Sequence, residues 1–309
     1  MSENKKFVMQ SVDMLSVKGS ERIELLHRLS TNDLLKLKED GHKVSTVFTS
    51  AQGKIVDWVM AFSMGDELLL RLSPGRANDL ANWIEQFIIM EDVQLENVTA
   101  QWASYAVDGS LDLQEIGISK PEQDRDIYPF DEGFSVRGDL SYALRHELFM
   151  KRDLAEVWKN KLQGAGYVEE GETFLEESRI RAGVPSPHFE FDEEINPLEL
   201  RLKEQVISWT KGCYIGQEVI SRLDSYDKLA RILIGFECVD KVPEDNSMRL
   251  RKDGKSLGRV TSKHILADGS TIGLAIVKRA EAKPGPVELS GDFGTLQVKL
   301  CDRPFWSEV

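Results

Sequence analysis

The residues best placed to do chemistry lie together in Lys211-Gly212-Cys213-Tyr214-Ile215-Gly216-Gln217-Glu218-Val219. A lone thiol stands between two glycines, beside a cation and an aromatic ring. Gln205–Thr210 reads as a short apolar strand before it, and Gln217–Arg222 as the first turns of a helix after it. A strand, a glycine-bearing loop and a helix start form a geometry that presents a reactive side chain or grips an anion. The thiolate is the reactive form, and a nearby cation or helix N-terminus favours it. Lys211, two residues away, is placed to favour that form. The plainer alternative is a small buried apolar residue, and Cys238 and Cys301, inside strand-like runs, read that way.

Three cysteines without a C-x-x-C pair give neither a disulfide framework nor a self-contained zinc or iron–sulfur site. The five histidines, His27, His42, His146, His188 and His264, are scattered, and none is spaced to pair with Cys213 as in a papain-like hydrolase. Arg179–Pro185 (RIRAGVP) and Pro197-Leu198-Glu199 form a second constellation. A carboxylate fixed at Glu199 can accept two parallel hydrogen bonds from an amidine-like edge, such as a guanidinium or a 2-aminopterin ring. Its alternative is an exposed loop glutamate. Asp57 is the third candidate. It lies mid-strand, on the face of Ile55 and Val59 by the period of two, so it stands at a sheet edge or in a pocket.

These residues need elements to hold them. Ser20–Leu29 has helical apolar spacing with Ser20 as N-cap, and a short helix follows over Asn32–Lys38. Lys43–Ser50, Lys54–Ser63 and Glu67–Ser73 read as strands, the first two joined at Gln52-Gly53. A helix carries Leu80, Ile84, Phe87 and Ile88, and strands follow near Val93–Val98 and Gln101–Val107. Asp112–Asp139 is polar and loop-rich, with short strand candidates. Helices return at Leu154–Leu162 and Glu172–Arg181, the latter stopped by Gly183 and Pro185. Past Leu229, four or five short strands with glycine turns read as a small barrel or sandwich. The expected class is α+β with antiparallel sheets, divided into residues 1–227 and a barrel over 228–309.

With 309 residues, 41% hydrophobic and 29% charged, the chain can bury a large core without metal or disulfide staples. Its 39 Lys and Arg against 52 Asp and Glu give a net charge of −13, which repels phosphate backbones, so direct nucleic-acid binding is not expected. The nearest basic cluster, Arg222, Lys228 and Arg231, reads as a solvated helix face. No apolar run is long enough to span a bilayer and the N-terminus lacks a signal h-region, so a reducing cytoplasm is expected.

K-G-C-Y-I-G-Q-E followed by Ser221-Arg222 resembles the signature of the YgfZ-type proteins. Arg179–Pro185, Pro197–Glu199, Ser30-Thr31-Asn32-Asp33, Gly53–Asp57, Gly258–Ser262 and Ile272–Ala275 also resemble that family, in its order. The family is similar to the folate-binding aminomethyltransferase, or T-protein, of the glycine cleavage system, and acts in iron–sulfur cluster assembly or maintenance. The resemblance implies a T-protein-like fold around a channel for tetrahydrofolate, with iron–sulfur client or assembly proteins as partners and tRNA modification affected indirectly. It implies that Glu199 grips the pterin, and that Asp57 is one of two adjacent acids of which Trp58 has replaced the other. Lys211, Tyr214 and Arg222 join them at the cofactor, and Cys213 is an exchangeable ligand or redox thiol, with no permanently bound metal. Folate-dependent aminomethyl or methyl transfer is the alternative, with Asp57 assisting.

Overall fold

The computed structural model describes residues 5–108, 113–119, 125–137, 144–187, 189–191, 194–245 and 247–302. His188 and part of the polar segment 112–139 lie outside the described residues. Among these residues the chain forms two sheets and a closed barrel. The first sheet orders its strands Lys43–Thr49, Ile55–Met64, Glu67–Leu72, Asp13–Lys18 and Gln94–Asn97, all antiparallel. The second runs Val168–Glu170, Lys6–Gln10, Trp102–Asp108, Leu144–Lys151, Gly133–Arg137 and Ile127–Phe130, with one parallel pair, Lys6–Gln10 beside Val168–Glu170. The architecture is the expected α+β, with antiparallel sheets and a C-terminal barrel.

The barrel closes in the order Arg231–Cys238, Thr271–Lys278, Lys255–Ile265, Arg249–Lys252, Gly285–Gly291 and Gly294–Cys301. The barrel strand missing from the sequence reading is Arg249–Lys252. Its residues RLRK bury only Leu250, so they show no alternation, and pairing on both sides makes them a strand. Lys6–Gln10, Asp13–Lys18, Leu144–Lys151 and Val168–Glu170 are likewise absent from that reading.

Three local expectations change. Gln205–Thr210 is not a strand. A single helical turn, Lys203–Val206, leads into a loop, and Thr31 Oγ1 donates to the Val206 carbonyl at 2.6 Å while Ser208 N donates to the Thr31 carbonyl at 3.1 Å. Val206 and Ile207 are buried against other elements, which explains their apolar character without a strand. Ser20 does not cap the first helix, which spans Arg22–Leu29; its hydroxyl donates to Asp92 at 2.8 Å. The second short helix is a 3-10 turn over Leu34–Lys38, capped by Asp33, whose carboxylate accepts from Leu35 N at 3.1 Å.

One apolar cluster joins the sheets and the barrel. Trp58, Phe62, Phe134, Phe149, Tyr214 and Leu233 all belong to it. Phe134 packs at 4.9 Å from both Phe62 and Phe149. Each such ring contributes about 1.5–3 kcal/mol by burial, so the three units are held as one body.

Candidate functional site

Cys213 is exposed, on a loop fixed at both ends. On the N-terminal side the Lys211 ammonium donates to the carbonyls of His27, Ser30 and Asn32, the last two at 2.6 and 2.9 Å. These oxygens lie at and beyond the C-terminal end of the helix Arg22–Leu29, where a cation is favoured. Burial pushes the Lys211 pKa down to about 8, with Asp33 opposing. Ile215 N donates to the Arg28 carbonyl at 3.3 Å, and the Ile215 carbonyl accepts from Thr49 Oγ1 at 2.6 Å. On the C-terminal side Gly216 has φ +85°, and a Cβ there would meet the Ser50 carbonyl at 2.6 Å. Glycine is therefore required for the loop to lie on the Gln52-Gly53 hairpin. Gly212 is different, since a Cβ on it would meet open space.

Lys211 therefore has an anchoring role that its spacing does not suggest. Its three protons go to backbone carbonyls, so it anchors the loop. The Tyr214 ring lies 5.1 Å from the Lys211 ammonium and is buried; its hydroxyl has no partner, and burial pushes its pKa up to about 12. Gln217 and Glu218 open the helix Gln217–Ser225, which carries Arg222 on an exposed position.

Asp57 is fully buried, with 0% exposure. Its Oδ1 accepts from Ser73 Oγ at 2.7 Å and from Trp58 N at 2.9 Å, while Oδ2 has no partner. Desolvation raises its pKa to about 6 against the opposing hydrogen bonds from Ser73 and Trp58. The period-two reading of its face fails locally. A bulge opposite Phe48 and Thr49 shifts the register, so Ile55 packs with Trp58 and Met60 while Val59 packs with the other core cluster.

A recess of about 160 Å³ lies beside this strand, lined by Trp58, Arg71, Ser73, Glu147, Arg179 and Phe191 among others. It is smaller than the ~300–1,000 Å³ of drug-sized sites and suits one ring system. Trp58 Nε1 donates to Ser45 Oγ at 2.9 Å, which fixes the indole. Glu147, 8% exposed, accepts from Gln10 Nε2 at 3.0 Å through Oε2, and Arg71 Nε lies 3.7 Å from that oxygen without a hydrogen-bond partner. A buried acid and a guanidinium whose Nε lacks a hydrogen-bond partner thus stand beside an indole.

Glu199 is not in this recess. Its Oε2 accepts from Asn196 N at 3.0 Å, and its Oε1 pairs with Arg231 Nε at 3.2 Å. Its backbone carbonyl accepts from Leu233 N at 2.8 Å. The carboxylate is occupied in joining the 196–202 segment to the first barrel strand. Glu199, expected at the pterin, lies outside the recess, and the carboxylate that lines it is Glu147. The sequence offered one sign of it, an acid sharing a strand face with Phe149 in His146–Lys151.

The fold does bring several predicted segments together. Asn196 Nδ2 donates to the Gly53 carbonyl at 2.7 Å, and a Cβ on Gly53 would meet Ile220 at 3.2 Å. The hairpin before Asp57, the Pro197–Glu199 segment and the Cys213 motif thus meet at one place. Among the described residues no group of three His, Cys, Asp or Glu could hold a metal ion.

No protein-family model matches the chain. A chloroplastic protein of Arabidopsis thaliana that carries a transferase name is 29% identical over 292 residues, covering 90% of this chain and 66% of its own length. An aminomethyltransferase of Thermoanaerobacter pseudethanolicus is 25% identical over 312 residues, covering 95% of this chain and 84% of its own length. The crystal structure of glycine cleavage system aminomethyltransferase T from Bartonella henselae superposes with a TM-score of 0.80 at 17% identity, covering 98% of this chain and 86% of that one. The chain therefore has the fold of the glycine cleavage aminomethyltransferase T.

Proposed function

We propose that the protein binds a reduced folate and supports assembly or repair of iron–sulfur clusters in client enzymes through Cys213. The observation that carries the folate reading is the recess at Trp58, with buried Glu147 and the unsatisfied Arg71 Nε in its wall. Glu147 accepts from the amino and N3–H edge of a pterin, Arg71 donates to ring oxygen or nitrogen, and Trp58 gives the ring a flat apolar wall. A bound tetrahydrofolate supplies one-carbon carrier chemistry. Trp58 stands where the resemblance places a second acid, so the chain has lost one carboxylate of the transfer machinery and keeps the binding wall.

The thiol supplies the other half of the reading. An exposed cysteine on a doubly anchored loop is accessible to a protein partner. A [4Fe–4S] cluster takes about four cysteine ligands, so Cys213 acts as one exchangeable ligand or as a redox thiol, and the partner supplies the rest. Folate-dependent transfer is the second reading, favoured by the resemblance to aminomethyltransferases and by a buried Asp57 whose pKa desolvation raises to about 6.

Calorimetric titration with tetrahydrofolate tests the first reading. Wild type and Glu199→Ala bind, and Glu147→Gln binds at least about tenfold more weakly, the loss of one charge-assisted contact of about 1.5–3 kcal/mol. No binding by the wild type ends the folate reading. Turnover with a one-carbon tetrahydrofolate donor that is lost in Asp57→Asn makes the protein a transferase instead.

A further inference from the structure

A second cavity lies against the same hairpin. Its volume is about 690 Å³, within the ~300–1,000 Å³ typical of small-molecule sites. It shares no lining residue with the recess at Trp58. Its walls come from separate parts of the chain: Lys54 and Val56 from the hairpin, Arg76 and Trp83 from the helix Ala77–Glu85 and the residue before it, and Arg231 from the first barrel strand. Ligand sites concentrate where such units meet.

Three cations in this wall are held by backbone carbonyls. Arg76 Nη2 donates to the Val56 carbonyl at 2.9 Å, and Lys54 Nζ and Arg231 Nη2 both donate to the Glu194 carbonyl, at 2.5 and 2.9 Å. A carbonyl fixes a cation in place without cancelling its charge. Arg76 also pairs with Asp79 at 3.1 Å and Arg231 with Glu199 at 3.2 Å, which spends part of each fork. Among the described residues Arg76 Nε and Arg231 Nη1 make no hydrogen bond, so each fork keeps a donor for a ligand. Trp83 packs against Phe48 and Phe87, at 5.9 and 4.9 Å between ring centroids, and contributes an aromatic surface to the cavity. An indole beside immobilised guanidinium donors suits a flat ring that carries an oxyanion.

We propose that this cavity binds a small planar aromatic anion, its ring against Trp83 and its carboxylate or phosphate on Arg76 and Arg231. The site is independent of the folate reading and stands or falls separately. Two probes separate the sources of the anion: adenosine monophosphate carries a phosphate, and p-aminobenzoyl-glutamate carries carboxylates. Adenosine and inorganic phosphate serve as half-ligands. The full-length protein is titrated with each, following tryptophan fluorescence and heat. At least one probe binds with Kd below about 1 mM, tighter than either half-ligand if it is the phosphate. Arg76→Gln and Trp83→Leu each weaken that binding by about tenfold or more, and Glu147→Gln leaves it unchanged. The proposal is overturned if neither probe binds the wild type by about 1 mM, if Glu147→Gln abolishes the binding, or if Arg76→Gln binds as well as wild type. Should Trp83→Leu lose its native circular dichroism, Arg76→Gln alone decides.

Discussion

At the scale of single residues, burial and partner supply decide what each candidate does. Cys213 is exposed, so Cys213→Ala leaves stability within about 0.5 kcal/mol of wild type, as surface substitutions do. In cells lacking the wild-type protein, the same variant fails to restore iron–sulfur enzyme activity; full restoration would remove the thiol from the mechanism. Asp57 gives a pH signature. Its folded pKa of about 6 lies above the unfolded value near 3.8. Between these values the native state binds more protons than the unfolded chain, so stability falls as pH rises from about 4 to 6 and levels off above. A shift of about two units corresponds to about 3 kcal/mol. Asp57→Asn keeps an acceptor for Ser73 and removes the titration. Urea midpoints show the variant gaining on wild type by up to about that amount at pH 7, and little at pH 4. Parallel curves at both pH values refute the burial argument.

At the scale of elements, the Cys213 loop depends on contacts from other parts of the chain. Lys211 fastens it to the end of the helix Arg22–Leu29, and Gly216 lets it rest on the hairpin. Gly216→Ala puts a Cβ into the Ser50 carbonyl at 2.6 Å and strains φ +85°. The expected cost is about 2–3 kcal/mol from strain and contact together. Limited proteolysis near 213–216 speeds up in this variant, and an unchanged cleavage rate would show that Gly216 is not needed to hold the loop. The contrast with Gly212, whose Cβ would meet nothing, is built into the same nine residues and could not be read from them. Both are glycines in one motif, and only the packing tells them apart.

At the scale of the whole molecule, a buried ion pair links the helix Glu172–Ala182 to the barrel. Glu190, with 0% exposure, accepts from Arg179 Nη1 at 3.0 Å and from Ser262 Oγ at 2.5 Å. Arg179 Nη2 donates to the same Ser262 hydroxyl at 2.7 Å. Removing one member leaves a buried charge unpaired, so Arg179→Met costs about 3–5 kcal/mol. The double variant Arg179→Met with Glu190→Met costs clearly less than the sum of the two single ones. Additive losses in denaturant titrations would mean that the two residues act separately.

The sequence alone determined what depends on near neighbours. Alternation marked the hairpin strand Lys43–Thr49, helical apolar spacing marked the helix Arg22–Leu29, and Gly183 marked the left-handed stop of the helix Glu172–Ala182 at φ +76°. It also singled out the Cys213 motif, because an unusual run of types is visible without a fold. The tertiary structure decided what depends on distant partners. Glu199 finds Arg231 32 residues away, and Lys211 finds the Ser30 carbonyl 181 residues away. Glu147 enters the recess only because Gln10 and Arg71 close around it from other strands. A bulge reversed part of the face assignment around Asp57, and pairing on two edges made a strand of Arg249–Lys252. Periodicity records which way a side chain points along its own element. Which group waits there is set by how the sheets and barrel pack, and a local pattern carries no record of that.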